Sequence, residues 1–94
     1  MATELRVFTH PSCAGCGPAV ALAWELAQGD PGRVTLRTVS LEQEAGLKEA
    51  FASDVRTIPT IVIAVDGRER RRLVGAPTPQ ALREAVREVL EAGA

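Results

Sequence analysis

The chain has 94 residues, 46% apolar and 24% charged, with a formal net charge of −1. That length makes one domain, residues 1–94, and the near-neutral balance gives no electrostatic basis for binding nucleic acid or an anionic membrane. No apolar run approaches the roughly 20 residues that a membrane span needs, and Glu4 and Arg6 interrupt the first apolar residues, so no signal peptide is read and the expected location is cytoplasmic.

Leu5 to Thr9 is a short β-prone run and a predicted first strand. Pro11 ends it, lacking a donor and biasing His10 toward an extended conformation. From Cys13 the sequence reads as helical. Val20, Ala23, Trp24 and Ala27 repeat at i, i+3, i+4, i+7, with Leu22 and Leu26 beside them, which predicts that Trp24 packs in the core. Pro18 falls near the first turn, where a missing N–H costs least. Gly29-Asp30-Pro31-Gly32 is a stop and a turn.

Val34 to Val39 alternates apolar and polar residues, the pattern of a half-buried strand. Ser40-Leu41-Glu42-Gln43 has the form of a capping box, predicting a helix through Glu44, Leu47 and Phe51 that ends near Ser53. Ile61 to Val65 is the strongest strand signal in the chain. Asp66-Gly67 is a two-residue hairpin signal that sends Arg68 to Val74 back antiparallel. Thr78-Pro79 reads as the N-cap and first residue of a last helix with Leu82, Val86, Val89 and Leu90 on its apolar face. The order β-α-β-α-β-β-α predicts an α/β fold, a four-stranded mixed sheet flanked by three helices. Its first pair is parallel through a helical crossover and its hairpin is antiparallel.

The only two cysteines, Cys13 and Cys16, stand where the first strand hands over to the first helix. Unpaired N–H groups and the positive end of the macrodipole at a helix N-terminus favour a thiolate there. The second sulfur, one turn in, is close enough for a disulfide. In a reducing cytosol such a pair is catalytic or metal-binding rather than a structural bridge. The pattern points to thiol–disulfide exchange.

Three separated segments, spanning nearly the whole chain, resemble those of thioredoxin-fold redoxins of the short kind. Val7-Phe8-Thr9-His10-Pro11-Ser12-Cys13-Ala14-Gly15-Cys16 resembles the active-site entry of glutaredoxins. Val55-Arg56-Thr57-Ile58-Pro59-Thr60 resembles the cis-proline segment shared by thioredoxins and glutaredoxins. Leu73-Val74-Gly75-Ala76 resembles thioredoxin's glycine stretch before its last helix. The resemblance implies a minimal thioredoxin fold and a small dithiol–disulfide oxidoreductase that reduces protein disulfides. Cys13 would attack and Cys16 would resolve the mixed disulfide. His10, Pro11, Ala14, Gly15, Ile58, Pro59, Gly75 and Ala76 would line the substrate groove, with Ile58–Pro59 cis and the Ile58 backbone open to an extended peptide. The implied cofactor is the redox-active disulfide itself, with nothing else bound. The implied electron source for the monomer is a flavoprotein reductase drawing on NADPH, or glutathione.

Cys16-Gly17-Pro18-Ala19 also resembles thioredoxin's Cys-Gly-Pro-Cys with its second cysteine replaced. Pro11 and the strand end, however, stand at the right distance before Cys13, which selects the Cys13/Cys16 pair. Ser12 occupies the position where thioredoxins place an aromatic residue, and Val7 the position of their buried acid. The chain has no Tyr, and Gly75-Ala76-Pro77-Thr78 lacks the acidic pair that glutaredoxins use for glutathione. General protein-disulfide reduction is therefore favoured over glutathione-linked glutaredoxin activity. The rival from another class is a metal-binding or adaptor module. His10 with Cys13 and Cys16 supplies only three ligands, where closed zinc sites want four. Arg68, Arg70, Arg71 and Arg72 form a basic run whose plainest role is to protect an edge strand, and whose sharper one is to dock an acidic partner.

Overall fold

A computed structural model describes residues 2–92, so residues 1, 93 and 94 of the expected domain lie outside the described range. Its elements are β1 (Thr3–Thr9), α1 (Cys16–Gly29), β2 (Val34–Ser40), α2 (Glu44–Ala52), β3 (Thr60–Val65), β4 (Arg68–Val74) and α3 (Pro79–Ala92). This is the β-α-β-α-β-β-α order that the sequence predicts. The four strands form one mixed sheet in the order β2-β1-β3-β4. β1 and β2 pair in parallel, because helix α1 carries the chain back over the sheet between them. The other two pairings are antiparallel. Asp66 and Gly67 both have positive φ, 51° and 84°, the backbone that a two-residue hairpin requires.

The two faces of the sheet carry separate cores. On one, Leu5, Val7, Ile61, Ile63 and Val65 pack against Ala19, Ala23 and Ala27 of α1 and Leu82, Ala85, Val86 and Val89 of α3. On the other, Phe8, Val39 and Val62 pack against Ala50 and Val55. Helix α3 starts as the sequence predicts: the Thr78 hydroxyl accepts from the Ala81 amide at 3.1 Å, an N-cap bond with Pro79 as the first helical residue.

Three expectations need correction. Helix α1 begins at Cys16 rather than Cys13, because Gly15 is its N-cap residue and residues 10–15 are spent in turns closed by Cys13 N–H to His10 C=O and Cys16 N–H to Cys13 C=O. Trp24 is not a core residue. It is 54% exposed, because the buried stripe of α1 runs through Ala19, Ala23 and Ala27, small enough for the helix to lie close to the sheet. Trp24 sits instead over the outer edge of β2, beside Pro31 and Leu36. The third correction is the capping box. Ser40 remains in β2, its hydroxyl accepting from the Glu42 amide and its carbonyl from the Gln43 amide, and α2 begins only at Glu44 without a side-chain cap.

Helix α2 lies on the end of β2 at Gly46. A Cβ there would stand 1.9 Å from the Ser40 carbonyl oxygen and 2.8 Å from the carbonyl carbon. The buried side of α2 is accordingly Gly46 and Ala50, while Leu47 and Phe51 face outward, 43% and 79% exposed. Charge reinforces this docking. Arg37 of β2 makes a two-pronged bond to Glu49 of α2, at 2.8 and 2.7 Å, and also reaches Glu4 of β1, which in turn pairs with Arg6. The Arg37 hydrogen bonds hold the Glu49 carboxyl below its ordinary value. Partial burial pushes the Glu4 carboxyl up, but Arg6 and Arg37 outweigh it and its value is also lowered.

β4 is an edge strand, as its basic run predicts, and it is bulged. Arg71 opposes Ile63 and Glu69 opposes Ala64, which leaves Arg70 as the extra residue. Arg72 pairs with Glu69, whose carboxyl it holds low, and donates to the carbonyls of Ser53 and Asp54, tying β4 to the end of α2. Arg71 pairs with Glu88 of α3.

Replacing Gly46 by Ala should destabilise the fold by about 1–3 kcal/mol or more, against the stabilisation of about 1 kcal/mol that helix propensity alone predicts. Denaturant unfolding of Gly46→Ala decides the sign. The lowered carboxylates fix a second outcome. A depressed folded-state pKa contributes stability above the ordinary carboxyl value of 4.5 and loses it as pH falls through the folded value. The unfolding midpoint should therefore hold from about pH 7 down to about pH 5 and fall below that. Glu49→Gln should flatten part of the acid-side fall.

Candidate active site at the Cys13–Cys16 disulfide

Strand register decides what meets at the end of the sheet. Phe8 of β1 pairs with Thr60 of β3, and Thr60 pairs with Val74 of β4. The connection leaving β1, the segment entering β3 and the segment leaving β4 therefore emerge side by side. These are the three segments singled out from the sequence. They make contact at Gly15: a Cβ built there would lie 3.6 Å from Pro59 Cδ and 3.7 Å from the Ala76 methyl. The Gly75 amide donates to the Pro59 carbonyl at 2.8 Å, closing the seam between the second and third segments.

Cys13 and Cys16 are joined in a disulfide, with Cα atoms 5.4 Å apart. Cys16 is the first residue of α1 and only 4% exposed, whereas Cys13 precedes the helix and is half-buried. The bond carries the Cys13 sulfur to the first turn of α1, so the expected helix-terminus setting is reached through Cys16. His10 is half-buried, Pro11 and Ala14 are exposed, and all three share the connection with the cysteines. Val7, beneath this end of the sheet, is fully buried among apolar side chains.

Ile58–Pro59 is a cis peptide, as the resemblance implies. The hydroxyl of buried Thr60 donates to the Thr57 carbonyl, pinning the turn ahead of Pro59. Ile58 is half-buried, and its backbone N–H and C=O make no hydrogen bond among the described residues. Gly75 has φ +85°, and a Cβ there would meet nothing within 4 Å, so its outer side is open. The groove residues expected from the sequence are thus gathered at one end of the molecule. Thr60 is the polar contributor that sequence reasoning passed over. Ser12, read from the sequence only as a departure from an aromatic residue, is bonded to the His10 ring.

Among the described residues, no group of three or more His, Cys, Asp and Glu side chains is placed to hold a metal ion. A cavity of about 390 Å³ between α1 and α3 is lined by Leu26, Arg33, Arg83 and Leu90 and touches neither cysteine. No helix among the described residues is long and apolar enough to cross a membrane.

No protein-family model matches the chain. A thioredoxin from Methanocaldococcus jannaschii is 30% identical over 87 residues, covering 93% of this chain and 95% of the relative. The chain belongs to the thioredoxin family. With its Cys-x-x-Cys disulfide it is a thiol–disulfide oxidoreductase, and that disulfide is its redox-active centre. Among solved structures, the oxidised form of mitochondrial thioredoxin 3 from Saccharomyces cerevisiae matches this thioredoxin-family chain with a TM-score of 0.78. The identity is 22%, over 92% of this chain and 77% of that one. A second match comes from a structure on the thiol-resolving mechanism of yeast mitochondrial 1-Cys peroxiredoxin via the glutathione/thioredoxin systems. It gives a TM-score of 0.79 at 21% identity, over 93% and 78% of the two chains. At these identities the two structures speak for the thioredoxin fold.

The spacing at Gly15 sets a size limit in this thioredoxin-family site. Its φ of −83° is open to any residue, so only contact decides. Gly15→Ala should fold normally, its methyl in ordinary van der Waals contact with Pro59 and Ala76. Gly15→Val should push against both and lower the thermal midpoint by about 4–8 °C for each kcal/mol of overpacking, read by calorimetry.

Proposed function

We propose that the protein reduces disulfide bonds in other proteins, with Cys13 as the attacking sulfur and Cys16 as the resolving one. In the dithiol form, the Cys13 thiolate attacks one sulfur of a substrate disulfide and the other leaves as a thiolate. Cys16, deprotonated in turn, attacks the Cys13 sulfur, releasing the second substrate thiol and leaving the Cys13–Cys16 disulfide. Two electrons pass from the protein to the substrate. The observation that carries this reading is the meeting of the disulfide, the cis Ile58–Pro59 peptide and the Gly75–Ala76 segment, with Cys13 the less buried of the two cysteine residues.

The unpaired backbone of Ile58 supports a substrate held as an added strand, in which main-chain bonds give affinity without demanding one sequence. His10, Pro11, Ala14, Gly15, Pro59, Gly75 and Ala76 would border that strand. Electrons would return from a flavoprotein reductase drawing on NADPH. Glutathione is the less suited donor, since Gly75-Ala76-Pro77-Thr78 brings no acidic side chain to the groove. The protein would act as a monomeric single domain in a reducing compartment, the cytoplasm, where a disulfide of this kind is turned over rather than stored.

Cys13→Ser should bring the reduction of insulin disulfides down to background. Cys16→Ser should retain attack and accumulate mixed disulfides, visible by mass spectrometry. Normal turnover by Cys13→Ser would remove the assignment of the attacking sulfur.

A further inference from the structure

His10 and Ser12 form a local device beside Cys13. The His10 Nδ1 lies 3.1 Å from the Ser12 amide nitrogen and 2.7 Å from its hydroxyl. A backbone N–H can only donate, so Nδ1 is the unprotonated nitrogen and the proton of the neutral ring sits on Nε2. The same residue's carbonyl accepts from the Cys13 amide at 3.0 Å, closing the turn His10-Pro11-Ser12-Cys13. Pro11 stands at the position of that turn where its fixed φ fits. His10 thus holds the last two residues of the short segment that presents Cys13, Ser12 through its ring and Cys13 through its backbone. Neither bond uses a sulfur atom, so opening the disulfide leaves both sets of partners in place.

We propose that His10 is a positioning residue for Cys13, holding this turn through Nδ1 and through its own carbonyl. The Ser12 amide can bond only to an acceptor, so its bond fixes the role of Nδ1, while the Ser12 hydroxyl adapts to it. The charged groups on neighbouring segments leave this arrangement alone. After β2, the connection bonded to Thr9 leads to Glu42 and to Glu44, which pairs with Lys48. On the segment before β3, Arg56 pairs with Asp54. None of these forms an ion pair with His10, and the segment from Gly75 to Thr78 carries no charge. The inference rests on Cys13 being the attacking sulfur.

The test is the reaction of the reduced protein with 5,5′-dithiobis(2-nitrobenzoate), followed by stopped flow. The Cys13 thiolate displaces one nitrothiobenzoate, and Cys16 then displaces the second as the intramolecular disulfide forms. His10→Ala removes the acceptor. His10→Asn puts a carbonyl oxygen near the place of Nδ1 in an Asx-type turn. His10→Ala should slow the first phase by about 3–10-fold, and His10→Asn should recover most of that loss. His10→Ala as fast as wild type, or His10→Asn as slow as His10→Ala, would overturn the role of His10. In parallel, a first phase that survives in Cys13→Ser would overturn the choice of attacking sulfur, whatever the His10 variants do.

Discussion

The antiparallel pairing of β1 with β3 is the constraint on which the rest of this molecule depends. Leu5, Val7 and Phe8 on one strand and Ile61 and Ile63 on the other are all fully buried, and each strand feeds both cores. A slip of one residue would turn every one of these side chains to the opposite face. The same register puts Phe8 beside Thr60 and Thr60 beside Val74, so hydrophobic burial in mid-sheet sets the meeting of three polar connections at its end. The disulfide, the cis-proline and the Gly75 turn need no bonds of their own to find one another. They are delivered by the core.

Much of this was legible in the chain, and the reason differs from part to part. Ile61 to Val65 and the Asp66-Gly67 hairpin are local signals, in which β-branched residues and a positive-φ pair leave few alternatives. Thr78-Pro79 is legible for the same reason, since cap chemistry is complete within four residues. The cysteines and Pro59 were legible because their chemistry is rare and their order along the chain matched a known pattern. What could not be read were the choices made by tertiary contact. Ser40 carries the letters of a capping box, but its pairing with Thr9 keeps it in β2 and moves the start of α2 onward. Trp24 fits the apolar period of α1 as well as Ala23 does. Only the close approach of helix to sheet explains why the small residues turn inward. Gly46 reads as a weak point in a helix until Ser40 is seen against it.

The charged residues divide by what they touch rather than by where they fall in the sequence. Arg37 stands alone in its strand yet couples β1, β2 and α2 through Glu4 and Glu49. The run Arg68, Arg70, Arg71 and Arg72 looks uniform, but alternation sends its members to different tasks. Arg72 turns to the α2 side and bonds the carbonyls that end that helix, Arg71 turns to α3, and Arg70 occupies the bulge. Two of the four are thus structural ties between an edge strand and the helices on either face. The bulge and the remaining charge are features that disfavour edge-to-edge pairing.

The placement of Trp24 has a practical consequence for anyone studying electron flow in this protein. It is the one tryptophan, and the chain has no tyrosine, so near-ultraviolet emission comes from this indole. It lies eight residues beyond Cys16 on the same helix, about 12 Å along the axis, and half in solvent. Its fluorescence will therefore follow the seam between α1 and β2, not the state of the sulfurs. Oxidation and reduction are better followed by thiol labelling or by mass, while the indole serves as an optical probe of unfolding.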